Sequence, residues 1–159
     1  MKELLELLEN NCNRTTKELA QMLGRDEQEI ASLINLLEKD KTIVGYKALI
    51  DWERTESEKV TAFIELKVTP QHGQGFDRIA ERIYQYEQVK TLWLMSGGFD
   101  IGLIIDGNNY KELALFVAEK LAPMEQIIST GTHFVLKTYK DRHVVFGNPH
   151  KDERSVVSL

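Results

Sequence analysis

The stretch Thr15–Lys39, TTKELAQMLGRDEQEIASLINLLEK, decides how the first part of the chain folds. Leu19, Ala20 and Leu23 recur at intervals of three and four, and beyond Gly24-Arg25 so do Ile30, Leu33, Ile34 and Leu37. That is the period of two amphipathic helices, each with one apolar stripe. Thr15-Thr16-Lys17-Glu18 has the form of a capping box, in which hydroxyl and carboxylate each take a free backbone N–H. Gly24 stands where a left-handed residue ends a helix. Asp26-Glu27-Gln28-Glu29 then has the form of a second capping box. So tight a turn between two short helices is a helix-turn-helix.

Upstream, Leu4, Leu5 and Leu8, with Leu7 beside them, predict a first helix. Downstream the period changes. Thr42–Ile50, TIVGYKALI, is β-rich with a break at Gly45, and it reads as a small two-stranded wing. Trp52–Lys59, WERTESEK, is polar and charged and reads as a linker. Beyond it the order is strand (Thr61–Val68), helix (Phe76, Ile79, Ala80, Ile83) and strand (Val89–Met95). The turn Ser96-Gly97-Gly98-Phe99 leads to a return strand (Ile101–Asp106). A helix (Leu113, Phe116, Val117, Leu121), stopped by Pro123, and a long strand (Ile127–Tyr139) follow. The order βαββαβ predicts an α+β fold, a ferredoxin-like sandwich of an antiparallel sheet with two helices on one face. The expected domains are a winged helix-turn-helix over 1–51, a linker over 52–59, a second domain over 60–141 and a polar tail over 142–159. The open sheet face is expected to carry Phe63, Leu92, Leu94, Ile104 and Phe134, too apolar to be left in water.

The chain has 159 residues and a formal charge of 20 − 25 = −5, so no basic field covers the whole molecule. No apolar run approaches the roughly 20 residues that span a bilayer, and no membrane partner is expected. MKELLELLEN lacks a small-residue cleavage site and does not read as a signal peptide. Cys12 is the only cysteine, which excludes an intramolecular disulfide and fits a reducing cytoplasm. His72, His133, His143 and His150 stand singly, without metal-ligand spacing. No nucleophile-elbow, Walker or Rossmann pattern occurs. Gly73-Gln74-Gly75 reads as a turn, and Asp100 and Asp106 as strand ends. The reading is of no enzyme, no cofactor and no metal.

Several segments in one order carry a resemblance: ELAQMLG (Glu18–Gly24), IVGYKALID (Ile43–Asp51), MSGGFDIGLII (Met95–Ile105) and STGTHFVLKTYKD (Ser129–Asp141). In these the chain resembles the Lrp/AsnC family of transcription regulators, from about Leu4 to Tyr139. The resemblance implies a double-stranded-DNA-binding helix-turn-helix joined to a domain that binds a small effector, often an amino acid. It also implies dimers, commonly assembled into octamers. The chain departs from the family at Ser32, Leu33 and Leu36, where arginine or lysine is usual, and at Lys41, where glycine is usual.

With Ile30, Leu33, Ile34 and Leu37 inward, the third helix turns Gln28, Ser32, Asn35 and Lys39 outward. Gln and Asn can pair with adenine and Ser with several base edges. Positive charge must come from Arg14, Lys17 and Arg25, with Lys47 in the wing, and Thr15 at the cap joins the DNA-facing set. The bland alternative is an ordinary solvated helix face. Leu36 is expected against the wing or against Leu4 and Leu7, the sharper reading being contact with a thymine methyl. Asp26, Glu27 and Glu29 complement the helix dipole in the first turn.

The candidate effector site is the turn Ser96, Gly97, Gly98 and Asp100, with Thr130 and Thr132 on the last strand, between subunits. The glycines let backbone N–H groups approach an anion, and Asp100 can accept from an ammonium group. The alternative is that Gly97-Gly98 only makes a tight hairpin that Asp100 caps. Lys90 and His133 read as surface neighbours. The chain therefore reads as a DNA-binding regulator. The competing reading is an effector-sensing or protein-interaction module with weak or lost DNA binding, favoured by the uncharged third helix.

Overall fold

The computed structural model describes residues 1–57, 59–70 and 75–147. His72, Gly73, Gln74 and His150, together with the tail from residue 148, lie outside them. The chain divides into two compact units, Met1–Ile50 and Asp51–Leu159.

The first unit is built of α1 (Lys2–Asn10), α2 (Thr16–Leu23) and α3 (Glu27–Lys39). Their stripes meet in a core of Leu4, Leu8, Leu19, Ala20, Ile30 and Leu37, with Leu5, Leu7, Leu23, Leu33, Ile34 and Ile43 packed around it. The capping box of α2 is complete: Glu18 N–H donates to the Thr15 hydroxyl at 3.2 Å, and Thr15 N–H donates to the Glu18 carboxylate at 2.7 Å. Gly24 ends α2 at φ 63°, and Arg25 N–H closes back on the Ala20 carbonyl at 3.0 Å. Asp26 caps α3 by accepting from the N–H groups of Gln28 and Glu29. The reciprocal half of that box is absent, because Glu29 pairs with Arg25 instead.

The expected wing is not formed. Ile43 N–H bonds the Leu37 carbonyl at 2.9 Å, but residues 44–51 contain no strand. Val, Tyr and Ile favour extended backbone, yet a strand is completed by a second one, and this segment pairs with none among the described residues. Val44 is 87% exposed, and Leu36, 52% exposed, lies under no wing.

The second unit holds β1 (Val60–Val68), α4 (Asp77–Ile83), β2 (Val89–Leu94), β3 (Ile101–Gly107), α5 (Tyr110–Phe116), and β4 (Ile127–Phe134). A π-helical turn, Val117–Leu121, extends α5. The sheet order is β2-β3-β1-β4, every pair antiparallel. Ala62, Ile64, Leu66 and Val68 of β1 are buried with Ile79 and Ile83 of α4, Leu113 and Phe116 of α5, and Leu121. This is the expected ferredoxin-like sandwich.

Four details differ from expectation. Leu92 pairs with Leu103, Leu94 with Ile101 and Phe134 with Ala62, so these three lie on the helix side of the sheet. Phe63 and Ile104, which pair with each other, keep the open face, and Trp93, opposite Gly102, joins them. β4 ends at Phe134, and Val135 N–H turns to the Thr61 carbonyl at 2.9 Å. Trp52–Arg54 is a 3₁₀ turn, and Lys59 is tied to the sheet by a 2.9 Å ion pair with Asp106. The stretch 52–59 is therefore anchored at its two ends. Lastly, β5 (Lys140–Asp141) and β6 (Val144–Val145) make a hairpin across the expected boundary at Asp141. Its two loop residues, Arg142 and His143, have φ of 40° and 70°, a type I′ conformation that usually calls for Asn-Gly.

A Cβ added at Gly107 would meet Leu113 Cδ2 at 2.6 Å, and Leu113 is fully buried. Gly107→Ala should therefore destabilise the second unit by roughly 1–3 kcal/mol through overpacking, read as a lowered urea midpoint. Gly45→Ala, with open space around it, should stay within about 0.5 kcal/mol. Equal midpoints for the two variants would contradict this packing.

Candidate functional site

The third helix presents two kinds of polar side chain. Its acids are committed to the fold. Asp26 caps, Glu27 accepts from the Thr16 hydroxyl at 2.9 Å, Glu29 pairs with Arg25 at 3.0 Å, and Glu38 accepts from the Tyr46 hydroxyl at 2.9 Å. Partial burial first, and the Glu38 bond second, push the Tyr46 phenol above its ordinary pKa. Gln28, Ser32, Asn35 and Lys39 are exposed, and their side chains hold no hydrogen bond among the described residues. At 100° per residue these four fall within a narrow stripe opposite Ile30 and Leu37. The result is an uncommitted row of two amides, a hydroxyl and an ammonium.

The cations around it divide the same way. The Arg14 guanidinium donates to the Leu7 carbonyl at 2.9 Å and closes the end of α1. Arg25 is held by Glu29. The Thr15 hydroxyl is used in its box and donates to Glu18 at 2.9 Å. Of the expected phosphate-facing set, only Lys17 and Lys47 remain exposed and unpaired, and Lys47 lies on the extended segment and not in a wing. Lys41, just past α3, is also exposed; its φ of 65° is a conformation suited to glycine.

The effector candidates are on the second unit. Met95 N–H donates to the Asp100 carbonyl at 2.7 Å and closes the turn holding Ser96, Gly97 and Gly98, all exposed. Asp100 docks that turn on β1: its N–H donates to the Leu66 carbonyl at 2.9 Å, and its carboxylate accepts from Val68 N–H at 2.8 Å. Thr130 and Thr132 pair with Leu66 and Ile64, on the helix side of the sheet. Asp100 and Thr130 flank β1 from opposite edges, about 10 Å apart at ordinary strand spacing. One chain thus supplies the turn and the threonines as two separate groups.

The open face of the sheet was only partly anticipated. The rings of Phe63 and Phe99 meet edge to face at 5.9 Å. Gly102 leaves room for both, since a Cβ there would lie 3.1 Å from Phe63 and 3.3 Å from Phe99. His133 stands beside Phe63 and 3.4 Å from the Glu65 carboxylate. Trp93 is missed from sequence because alternation opposes it to Leu92 and Leu94, the residues expected on this face; only the pairing with Gly102 shows that Trp93 is the one facing out. Among the described residues no group of His, Cys, Asp and Glu is arranged to hold a metal ion, and no helix is long and apolar enough to cross a membrane.

Known proteins share this fold. Residues 61–145 match the family described as the Lrp/AsnC ligand binding domain. The chain is 43% identical over 157 residues to the uncharacterized HTH-type transcriptional regulator YugG of Bacillus subtilis, covering 98% of this chain and 95% of that protein. A proline dehydrogenase transcriptional activator of Rhodobacter capsulatus is 20% identical over 89% of this chain and 92% of its own length. Among solved structures, E. coli AsnC superposes with a TM-score of 0.67 at 18% identity, over 89% of this chain and 93% of that one. A Neisseria meningitidis transcriptional regulator in complex with L-methionine gives 0.69 at 21%, over 87% and 88%. The feast or famine regulatory protein of M. tuberculosis, complexed with L-methionine, gives 0.70 at 21%, over 87% and 90%.

Two cap carboxylates set an acid limit on the first unit. The Thr15 backbone N–H, then its hydroxyl, hold Glu18 below its ordinary pKa, and the Thr42 N–H holds Asp40 below its own. A carboxylate whose pKa falls on folding stabilises the fold fully above its unfolded pKa, and that contribution is lost as pH drops through the folded value. The first unit should therefore lose melting temperature as pH falls below about 4, where the unperturbed carboxyls of Glu and Asp titrate. Glu18→Gln keeps an acceptor for Thr15 but does not titrate, so it should flatten the fall. An unaltered pH profile in that variant would show that the box is not the cause.

Proposed function

Because the chain belongs to the Lrp/AsnC family of transcriptional regulators, we propose that its first unit reads double-stranded DNA through α3. Its second unit, on the same reading, binds a small effector of the amino-acid class. One observation carries the DNA assignment: Gln28, Ser32, Asn35 and Lys39 form an exposed row that the fold leaves unused. The 13 residues of α3 span about 20 Å at 1.5 Å each, enough to lie along a major groove about 12 Å wide. Gln28 and Asn35 suit the adenine edge, and Ser32 suits several. A DNA reader of this kind acts in the cytoplasm of a bacterial or archaeal cell.

A specific observation also favours the second reading, a sensor with weak DNA binding. Arg14 is held by the Leu7 carbonyl and Arg25 is paired with Glu29. Lys17, Lys39, Lys41 and Lys47 are left for the phosphates.

The effector assignment rests on the family and on the two methionine complexes among similar structures. Ser96, Gly97, Gly98 and Asp100 offer backbone donors and a carboxylate. Thr130 and Thr132 stand apart from them, so a second copy of the chain completes the site. The open face with Phe63, Phe99, Trp93 and Ile104 is the surface through which two copies associate, with an octamer as the larger assembly.

A mobility-shift titration with the DNA upstream of this protein's own gene tests the first assignment. Each phosphate contact adds about 0.9 to the log–log salt slope, so a specific complex with a shallow slope is expected. Gln28→Ala or Asn35→Ala should cost roughly 1–3 kcal/mol at one base position. Unchanged operator preference in both variants rejects the reading face; no shift even at low salt selects the sensor reading.

For the effector, melting of the protein with each common amino acid is the test. A ligand at about 100 times its Kd should add roughly 2.7 kcal/mol. Asp100→Asn keeps an acceptor for Val68 N–H and removes the charge, so it should abolish the response while preserving the fold. A response that survives Asp100→Asn places the site elsewhere.

A further inference from the structure

The end of β1, the start of α4 and the approach to β4 enclose a notch lined by Thr69, Gly75, Arg78, Ile79, Arg82 and Gln126. Its interior holds about 10 Å³, room for one water-sized group. Two independent features point to what enters it.

The first is charge. Arg78 and Arg82 are one helical turn apart on α4, and among the described residues the lining contains no acidic side chain. Like charges at that spacing work against the helix. Arg78 has an interaction of its own, whereas Arg82 makes no hydrogen bond or ion pair among the described residues. Arg82 is exposed and its guanidinium only donates, so it can accept an anion as partner at this side of the notch.

The second is an orphaned acceptor. Gln126 Oε1 is buried without a hydrogen-bond partner, and no other side-chain nitrogen or oxygen among the described residues is in that state. Its backbone is fixed, since the Gln126 carbonyl accepts from Thr69 N–H at 2.9 Å. A buried acceptor left unpaired is costly, and a donor brought to it recovers that cost.

An ordinary anion satisfies Arg82 and leaves Gln126 unpaired. We propose that the notch binds a small oxyanion that carries a hydrogen-bond donor of its own. Hydrogenphosphate is the simplest case: its P–OH enters and donates to Gln126 Oε1, and its other oxygens accept from Arg82 at the rim. A free α-amino acid has the same chemistry, with a carboxylate for Arg82 and an ammonium group for the amide. Sulfate has the size and charge but no proton at neutral pH, so it is the discriminating control. The site is separate from the turn at Ser96–Asp100, and its failure would leave the effector assignment standing.

The test is a titration of the full ¹⁵N-labelled chain at neutral pH and constant ionic strength, following the Gln126 side-chain amide and Arg82 Nε signals. The probes are inorganic phosphate, sulfate and L-alanine. Saturable shifts of both signals with phosphate or with alanine are expected, and which of the two binds tighter identifies the source. Sulfate should bind at least several-fold more weakly than the better probe. Arg82→Gln should weaken binding roughly tenfold, the loss of one charge-assisted hydrogen bond. Gln126→Met should erase the preference over sulfate, and Asp100→Asn should change nothing. No saturable shift with either donor-bearing probe, or equal binding of sulfate by the unaltered protein, overturns the proposal.

Discussion

Directly paired residues of an antiparallel sheet point to the same side, and β1 is paired along both of its edges. Once Ala62, Ile64, Leu66 and Val68 are committed to the helices, their partners have no choice. Ile105, Leu103 and Ile101 of β3 go with them, and so do Phe134, Thr132 and Thr130 of β4. The same register sends Phe63, Ile104, Gly102 and Trp93 to the open face. A slip of one residue would exchange the two sets. Two bulges adjust the frame. One lies between Lys67 and Val68, where Ile128 of β4 is passed over and left exposed; the other lies between Val89 and Thr91 of β2. The aromatic open face and the separation of Asp100 from the threonines both follow from this single registration.

The first unit depends on a different economy. Its acidic residues look hostile to DNA when counted along α3, yet each has a local task. Glu18 and Asp26 satisfy helix N–H groups that would otherwise be unpaired. Glu27 and Glu38 accept from hydroxyls, and Glu29 neutralises Arg25. Their charge is directed at backbone and neighbours, beside the outward stripe and not within it. The same economy occupies two arginines, Arg14 with the Leu7 carbonyl and Arg25 with Glu29 in an exposed ion pair. Net charge is therefore a poor guide to what this face can bind; the relevant count is of side chains without an internal partner.

Much of this was legible in the sequence because local chemistry and global fold agree. The box at Thr15–Glu18, the left-handed Gly24 and the apolar stripes specify the three helices, and strand alternation specifies β1. Legibility failed where a feature depends on a partner outside the local stretch. The residues from Val44 to Ile50 have strand chemistry but no second strand in their unit. The threonines could not be assigned to a face until pairing with Leu66 and Ile64 was known. Leu92 and Leu94 lie on the helix side and not on the open face that their apolar character suggests, because parity fixes only that they share a face and register fixes which one. The notch around Gln126 has no sequence signature, since Thr69, Arg82 and Gln126 meet only through the crossing of three elements.

The remaining failures share another cause: ordinary side chains in conformations that favour glycine. Arg142 and His143 form a two-residue hairpin turn with positive φ at both positions, so the turn carries none of the usual Asn-Gly signal, and the expected boundary at Asp141 falls between β5 and β6. Lys41 has φ 65° immediately after α3, at a cost of about 1–2 kcal/mol relative to right-handed backbone. The neighbouring contacts hold it there. Lys41 N–H donates to the Glu38 carbonyl at 3.3 Å, and the Asp40 carboxylate takes the Thr42 N–H at 2.9 Å. Glycine at this position would relieve the strain but remove one of the few cations in the unit that no internal acid has claimed. Backbone conformation and surface charge therefore oppose each other at Lys41, and the fold tolerates the first in order to carry the second at the end of the helix with the free polar stripe.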